Sequence, residues 1–98
     1  MASYEYEVDH EIEVEEPKKY TVFLLNDDFS TMDFVIDVLM TVFRKSLSES
    51  EQIMLTVHNN GKAVCGTYTQ EIAYTKVSQV SSMARKASFP LKAVAQEE

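Results

Sequence analysis

The chain has 98 residues, 45% of them hydrophobic, and a formal net charge of −7. A chain of that length buries roughly 60–65% of its unfolded surface, enough for one core and no second one. No apolar run approaches the ~18 residues of a membrane span, and the start has neither the basic segment nor the apolar stretch of a secretory signal. A single cysteine, Cys65, excludes an internal disulfide and fits a reducing cytoplasm.

The charge is unevenly placed. Residues 1–17 hold seven acidic side chains and no Lys or Arg, whereas residues 18–98 hold nine of each sign. A neutral body with an acidic arm is a poor match for nucleic acid, whose binding depends on cations against phosphate. Anionic membranes would repel the arm as well. Proteins, peptides or small molecules are left as partners.

Within the arm, Tyr4, Tyr6, Val8, His10, Ile12 and Val14 alternate with acids. Period two is a strand pattern, but dense like charge with little apolar surface favours an extended, disordered arm, and the second reading is preferred here. Pro17 ends the arm, and a folded domain is expected over 18–98.

Tyr20 to Leu25 reads as a strand bounded by Asn26-Asp27-Asp28. The loop continues to Thr31, where Ser30 or Thr31 can cap a helix whose first turn carries Asp33. Phe34, Val35, Val38, Leu39, Val42 and Phe43 repeat at helical spacing, predicting a helix over 32–45. Ser48 and Glu51 have capping-box spacing and are expected to start a second helix running through Ile53, Met54, Val57 and His58. Asn60-Gly61 supplies a left-handed stop. Ala63 to Tyr68 reads as a strand. Thr69 can cap a third helix with Ile72, Ala73, Val77, Val80 and Ala84 on its apolar face, ended by Phe89-Pro90. Leu91 to Ala95 reads as the last strand. The order β-α-α-β-α-β predicts an α+β sandwich, a three-stranded antiparallel sheet with three helices on one face.

Three features can carry chemistry. Asn26-Asp27-Asp28 is either ordinary turn chemistry or a set of acceptors aimed at a cation. His58 is either a partner for the helix dipole or, four residues from Met54 on the same face, the polar tip of an apolar pocket. Met32, Met40, Met54 and Met83 read mostly as core filler, with an adaptable binding wall as the alternative. Catalytic readings are weak. Asp28 and His58 can form a dyad in principle, but no Ser or Cys nucleophile has a suitable setting. Cys65 sits inside a strand and reads as a small buried hydrophobe. Two His and one Cys lack zinc-ligand spacing, and two glycines make no phosphate loop. No cofactor, metal or enzymatic activity is expected.

Taken together, Tyr20 to Val35 resembles the opening of the ClpS family, bacterial adaptors of the N-end rule. Gln52 to His58, Gly61 to Gly66, Tyr68 to Ala73 and Pro90-Leu91 match the same family in the same order, so the resemblance covers about residues 18–95. It implies a fold similar to the C-terminal domain of ribosomal protein L7/L12. It also implies a monomeric adaptor that binds proteins beginning with Leu, Phe, Tyr or Trp and delivers them to the N-terminal domain of the ClpA unfoldase of ClpAP, modulating ClpA's substrate choice.

By the same resemblance, Asn26, Asp27, Asp28 and His58 hold the substrate's free α-amino group. Met32, Val35, Met54, Val57 and Leu91 wall the hydrophobic pocket, with Ser30 and Thr31 at its rim and Met32 as a gate against β-branched first residues. Tyr68, Glu71 and Lys76 face ClpA, and residues 1–17 resemble the flexible extension that the unfoldase engages. Thr31 departs from the family, which often has proline there to pre-set the first helical turn. The acid/apolar alternation of the arm is not a family motif.

The chemistry suits these residues. An α-amino group is mostly a cation with three donors near neutral pH, and Asn carbonyl, carboxylate and neutral imidazole accept from it. The competing class is a plain interaction domain of the same fold that binds something other than N-termini; such a domain needs no amine site. A third reading is a ClpA modulator that only blocks other substrates.

Overall fold

The computed structural model describes residues 17–98. The expectation for the acidic arm falls on residues 1–16 and lies outside the described residues. The elements run β1 (Lys19–Leu25), α1 (Met32–Thr41), α2 (Leu47–Asn60), β2 (Lys62–Thr69), α3 (Gln70–Ala87) and β3 (Lys92–Glu97). This is the expected α+β order, and β1 lies at the centre of an antiparallel sheet of order β2-β1-β3.

The strand alternation decides which face is covered. Val22 and Leu24 of β1, Ala63 and Cys65 of β2 and Ala93 of β3 are buried. Phe23, paired with both Val64 and Val94, points to the open face, where Val64 and Val94 stay exposed. α3 packs across all three strands, and α2 packs on β2 and on α1. Val35, Val38, Leu39, Val57, Val80, Ala84 and Leu91 complete one continuous core. Each fully buried Val or Leu contributes about 1.5–3 kcal/mol from burial. Among the described residues no helix is long and apolar enough to cross a membrane.

Between Val22 and Phe23 the register of β2 slips, so that Val22 faces Gly66 while Phe23 faces Val64. Cys65 is the extra residue of this bulge, which bends β2 where it passes toward α3. Glycine follows because the Tyr68 ring lies against it; a Cβ at Gly66 would collide with that ring.

Several local readings are corrected. α1 ends at Thr41 rather than reaching residue 45. Val42 and Phe43 are still buried, but Arg44 adopts a left-handed conformation (φ 58°) and turns the chain back, so that the Lys45 N–H donates to the Leu39 carbonyl at 3.2 Å. α2 then begins two residues earlier than expected. The cap is Ser46, not Ser48: its hydroxyl accepts from the Glu49 N–H at 3.1 Å, and the Glu49 carboxylate accepts from the Ser46 N–H at 3.0 Å. Both serines have an acid three residues on. The Arg44 turn selects the earlier frame, which puts Ser50, Met54 and Val57 on the buried side.

Thr69 holds the N-cap position of α3 but makes no capping hydrogen bond. Met54 alone of the four methionines read as core filler is buried; Met83 is partly buried, and Met32 and Met40 are exposed. The stop of α3 is as expected, with Ser88 left-handed (φ 62°) and the N–H groups of Phe89 and Ser88 donating to Ala84 and Arg85 carbonyls.

Candidate functional site

The loop after β1 and the last turn of α2 meet because of one backbone bond. The Asn26 N–H donates to the Gly61 carbonyl at 2.8 Å. Gly61 is left-handed (φ 91°) and closes α2, its own N–H donating to Val57 at 2.9 Å. A side chain there would be strained, so glycine lets α2 end within reach of the loop. The arrangement sets Asn26 beside Val57 and His58.

Asp27 shapes the loop. Its Oδ1 accepts from the N–H groups of Phe29 (2.8 Å) and Ser30 (2.6 Å), an Asx turn. Burial pushes the Asp27 carboxyl up; the N–H of Ser30, its nearby hydroxyl and the Phe29 N–H outweigh this, and the net shift is downward. The Ser30 hydroxyl stands outside hydrogen-bond geometry, and Asp27 Oδ2 and Ser30 Oγ are both buried without a partner. Asp28 is exposed and holds no loop amide. Thr31 then caps α1, its hydroxyl accepting from the Phe34 N–H at 3.1 Å. Its position is the N-cap, one residue before the first helical turn, so a side-chain bond does locally what proline does through its ring.

These elements enclose a cavity of about 430 Å³, within the range of small-ligand sites. Val35, Met54 and Val57 form its floor and are at most 8% exposed. Asn26, Asp27, Asp28 and His58 supply its polar lining, and Phe29, Ser30, Thr31 and Met32 complete it. Met32 is 53% exposed and stands at the mouth. An acceptor-rich side over an apolar floor suits a ligand that joins a cation to an apolar group.

The structure thus brings together ten of the residues expected at a site, including all four polar ones. Leu91 is buried in the same core as the floor residues, 3% exposed, but is not among the residues that line the cavity. Phe29 lines the cavity yet was not expected there; the available signal was an aromatic in a polar loop. Tyr68, Glu71 and Lys76 lie on other elements and do not line it. Lys76 Nζ sits 5.8 Å from the Tyr68 ring centroid and donates to the Val42 carbonyl at 2.8 Å, while Glu71 flanks a groove beside Lys18 and Tyr20. Burial, and then the neighbouring Cys65, push the Tyr68 phenol up. Cys65 itself is 1% exposed, and burial pushes its thiol up to about 12.

Comparison with known proteins adds a second line of argument. Residues 15–94 match the family model described as ATP-dependent Clp protease adaptor protein ClpS. An ATP-dependent Clp protease adapter protein ClpS of Wolinella succinogenes is 50% identical over 96 residues, covering 98% of this chain and 94% of that protein. The protein of that name from Campylobacter jejuni strain RM1221 is 53% identical over 83 residues, 85% of this chain and 86% of its own length. Among solved structures, Agrobacterium tumefaciens ClpS2 bound to L-phenylalaninamide matches with a TM-score of 0.82 and 38% identity, over 85% of this chain and all of that one.

Proposed function

The chain belongs to the ClpS family of ATP-dependent Clp protease adaptor proteins, and from that premise we propose that it binds the free α-amino group and bulky first side chain of N-end rule substrates. The observation that carries this reading is the pairing of Asn26, Asp27, Asp28 and His58 with the floor of Val35, Met54 and Val57 in one cavity. L-phenylalaninamide, the ligand of the Agrobacterium tumefaciens relative, joins a free amine to an aromatic side chain and blocks the carboxylate. Its chemistry fits such a cavity.

The energetics need both halves. Hydrogen bonds between an ammonium and fixed acceptors contribute about 1.5–3 kcal/mol each. Burying a Leu or Phe side chain adds about 1.5–3 kcal/mol. Three such bonds and the side chain together give about 6–12 kcal/mol; at the upper end, after an association cost of about 4 kcal/mol, the sum reaches the micromolar range, and neither half does so alone. Met32 at the mouth serves as the gate, with Ser30 and Thr31 beside it.

In this reading residues 18–98 are the recognition domain and residues 1–17 an extension engaged by the unfoldase. The bound substrate is delivered to the N-terminal domain of ClpA, met by Tyr68, Glu71 and Lys76, for degradation by ClpAP. The adaptor carries out no catalysis, and docking on ClpA alters which other substrates are taken.

A fluorescence-anisotropy titration tests the recognition step with three peptides that differ only at the start: free Phe, acetylated Phe and free Ala. Binding of the first alone is expected. Equal binding of all three, or of none, would return the chain to the class of generic interaction domains.

A further inference from the structure

The floor and the polar side of the cavity are occupied by the first residue of a bound peptide, and that leaves one lining residue without a task. Phe29 is the aromatic member of the lining among the described residues, and it is 74% exposed. Its neighbours in the lining divide by depth. Val35, Met54 and Val57 are at most 8% exposed and make the floor, whereas Phe29 and Met32 are more than half exposed at the mouth.

The backbone at Phe29 is also held in place. Its N–H is bonded to Asp27 Oδ1 at 2.8 Å, and the next N–H in the chain is bonded to the same oxygen, so the backbone that carries the ring is pinned by the carboxylate. It follows Asp28 directly, and Asp28 is an exposed acceptor on the polar side.

Consider the path of a peptide. Its amine is fixed at the polar side and its first side chain points down to the floor. Consecutive Cα atoms are only about 3.8 Å apart, so the second residue lies at the mouth, next to the groups that hold the amine. We infer that Phe29 is a specificity-determining residue for the second position, an aromatic shelf against which the second side chain packs. This rests on the reading of the cavity as a site for free N-termini. The side chains it favours are those that cover a ring face well: Leu, Met and aromatics, over glycine or a short polar group.

The test compares peptides Phe-Gly-, Phe-Leu- and acetyl-Phe-Leu- of otherwise one sequence, titrated by anisotropy against the full chain and its Phe29→Ala and Phe29→Tyr variants. In the unaltered chain Phe-Leu- is expected to bind about fivefold tighter than Phe-Gly-, the effect of partly burying one aliphatic side chain. Phe29→Ala is expected to bring that ratio to about one, and Phe29→Tyr to keep it. The ring is exposed, so both variants keep the core intact. A ratio unchanged in Phe29→Ala, with free-amine peptides still bound and acetylated ones rejected, overturns the inference and leaves the amine site standing. If no free-amine peptide binds the unaltered chain, the reading of the cavity falls and the inference falls with it.

Discussion

Asp27 and Asp28 are adjacent carboxylates, yet the structure gives them different work, and paired alanine variants separate the two. Asp27 holds the loop through two N–H groups, at 2.8 and 2.6 Å, and has only Oδ2 left to offer. Hydrogen bonds to a charged group contribute about 1.5–3 kcal/mol each when well shielded. This loop is half-buried, so about 1–2 kcal/mol for the two bonds together is the better figure. For a domain of this size ~1 kcal/mol moves the melting temperature by about 4–8 °C. Asp27→Ala is therefore expected to lower Tm by about 4–15 °C and to weaken binding of a free-Phe peptide through the lost loop geometry.

Asp28→Ala removes an exposed carboxylate that holds no loop amide, so its Tm should stay within ~3 °C while binding falls at least about tenfold. Thermal unfolding by circular dichroism and anisotropy titration read the two effects separately. Equal melting of the two variants, or an Asp27→Ala protein as stable as the parent, would refute this division of labour. The pH dependence carries the same signature. The Asp27 carboxyl is held below its ordinary value, so its contribution is fully present above about pH 4. It is lost as pH falls through the lowered folded value, and the stability curves of parent and Asp27→Ala should converge there.

Other expectations follow from the core and its seams. Ser50 is fully buried with its hydroxyl unpartnered, so Ser50→Ala should raise stability by about 1 kcal/mol in a denaturant melt; a loss of that size would show that the hydroxyl is satisfied. Cys65 should resist a thiol-specific disulfide reagent in the native protein and react at once in denaturant; rapid native labelling would contradict its burial. Because its thiol is pushed up to about 12, the unfolded chain ionises first as pH rises above the ordinary thiol value. Stability should thus decline from about pH 8.5 upward, less steeply in Cys65→Ala. Lys76 ties α3 to the end of α1 through the Val42 carbonyl, so Lys76→Ala is expected to cost about 1 kcal/mol of stability besides any effect on ClpA docking. Lys76→Arg, retaining a donor, should restore the stability, and failure to do so would argue against the tie.

Much of the fold was legible because local chemistry and burial agree. The alternation in β1 marks Val22 and Leu24 as the inner face, Gly61 marks the end of α2, and Ser30-Thr31 marks the start of α1, with Thr31 the cap in the structure. These signals depend on a few consecutive residues, and sequence shows them directly. Where two frames are locally equal, sequence does not choose. Ser46 with Glu49 and Ser48 with Glu51 have the same spacing, and the left-handed turn at Arg44 decides between them by setting where α2 can leave α1.

The same limit applies to the site. Asn26, Asp28 and His58 could be named from their types and, through the family resemblance, grouped. That they share one cavity depends on the bond from Asn26 to Gly61, a contact across 35 positions of chain. Leu91, a cavity-wall residue by resemblance, is as buried as Val57 but is not among the residues that line the cavity. Phe29 and Met32 look like core residues by hydrophobicity, yet stand at the cavity mouth. Hydropathy records what a side chain prefers to bury, whereas its depth is set by the elements packed around it. The chain thus carried its element order and the identity of its polar groups in local pattern. Long-range packing decided which oxygen of Asp27 is spent on the loop, and which apolar residues face a ligand rather than one another.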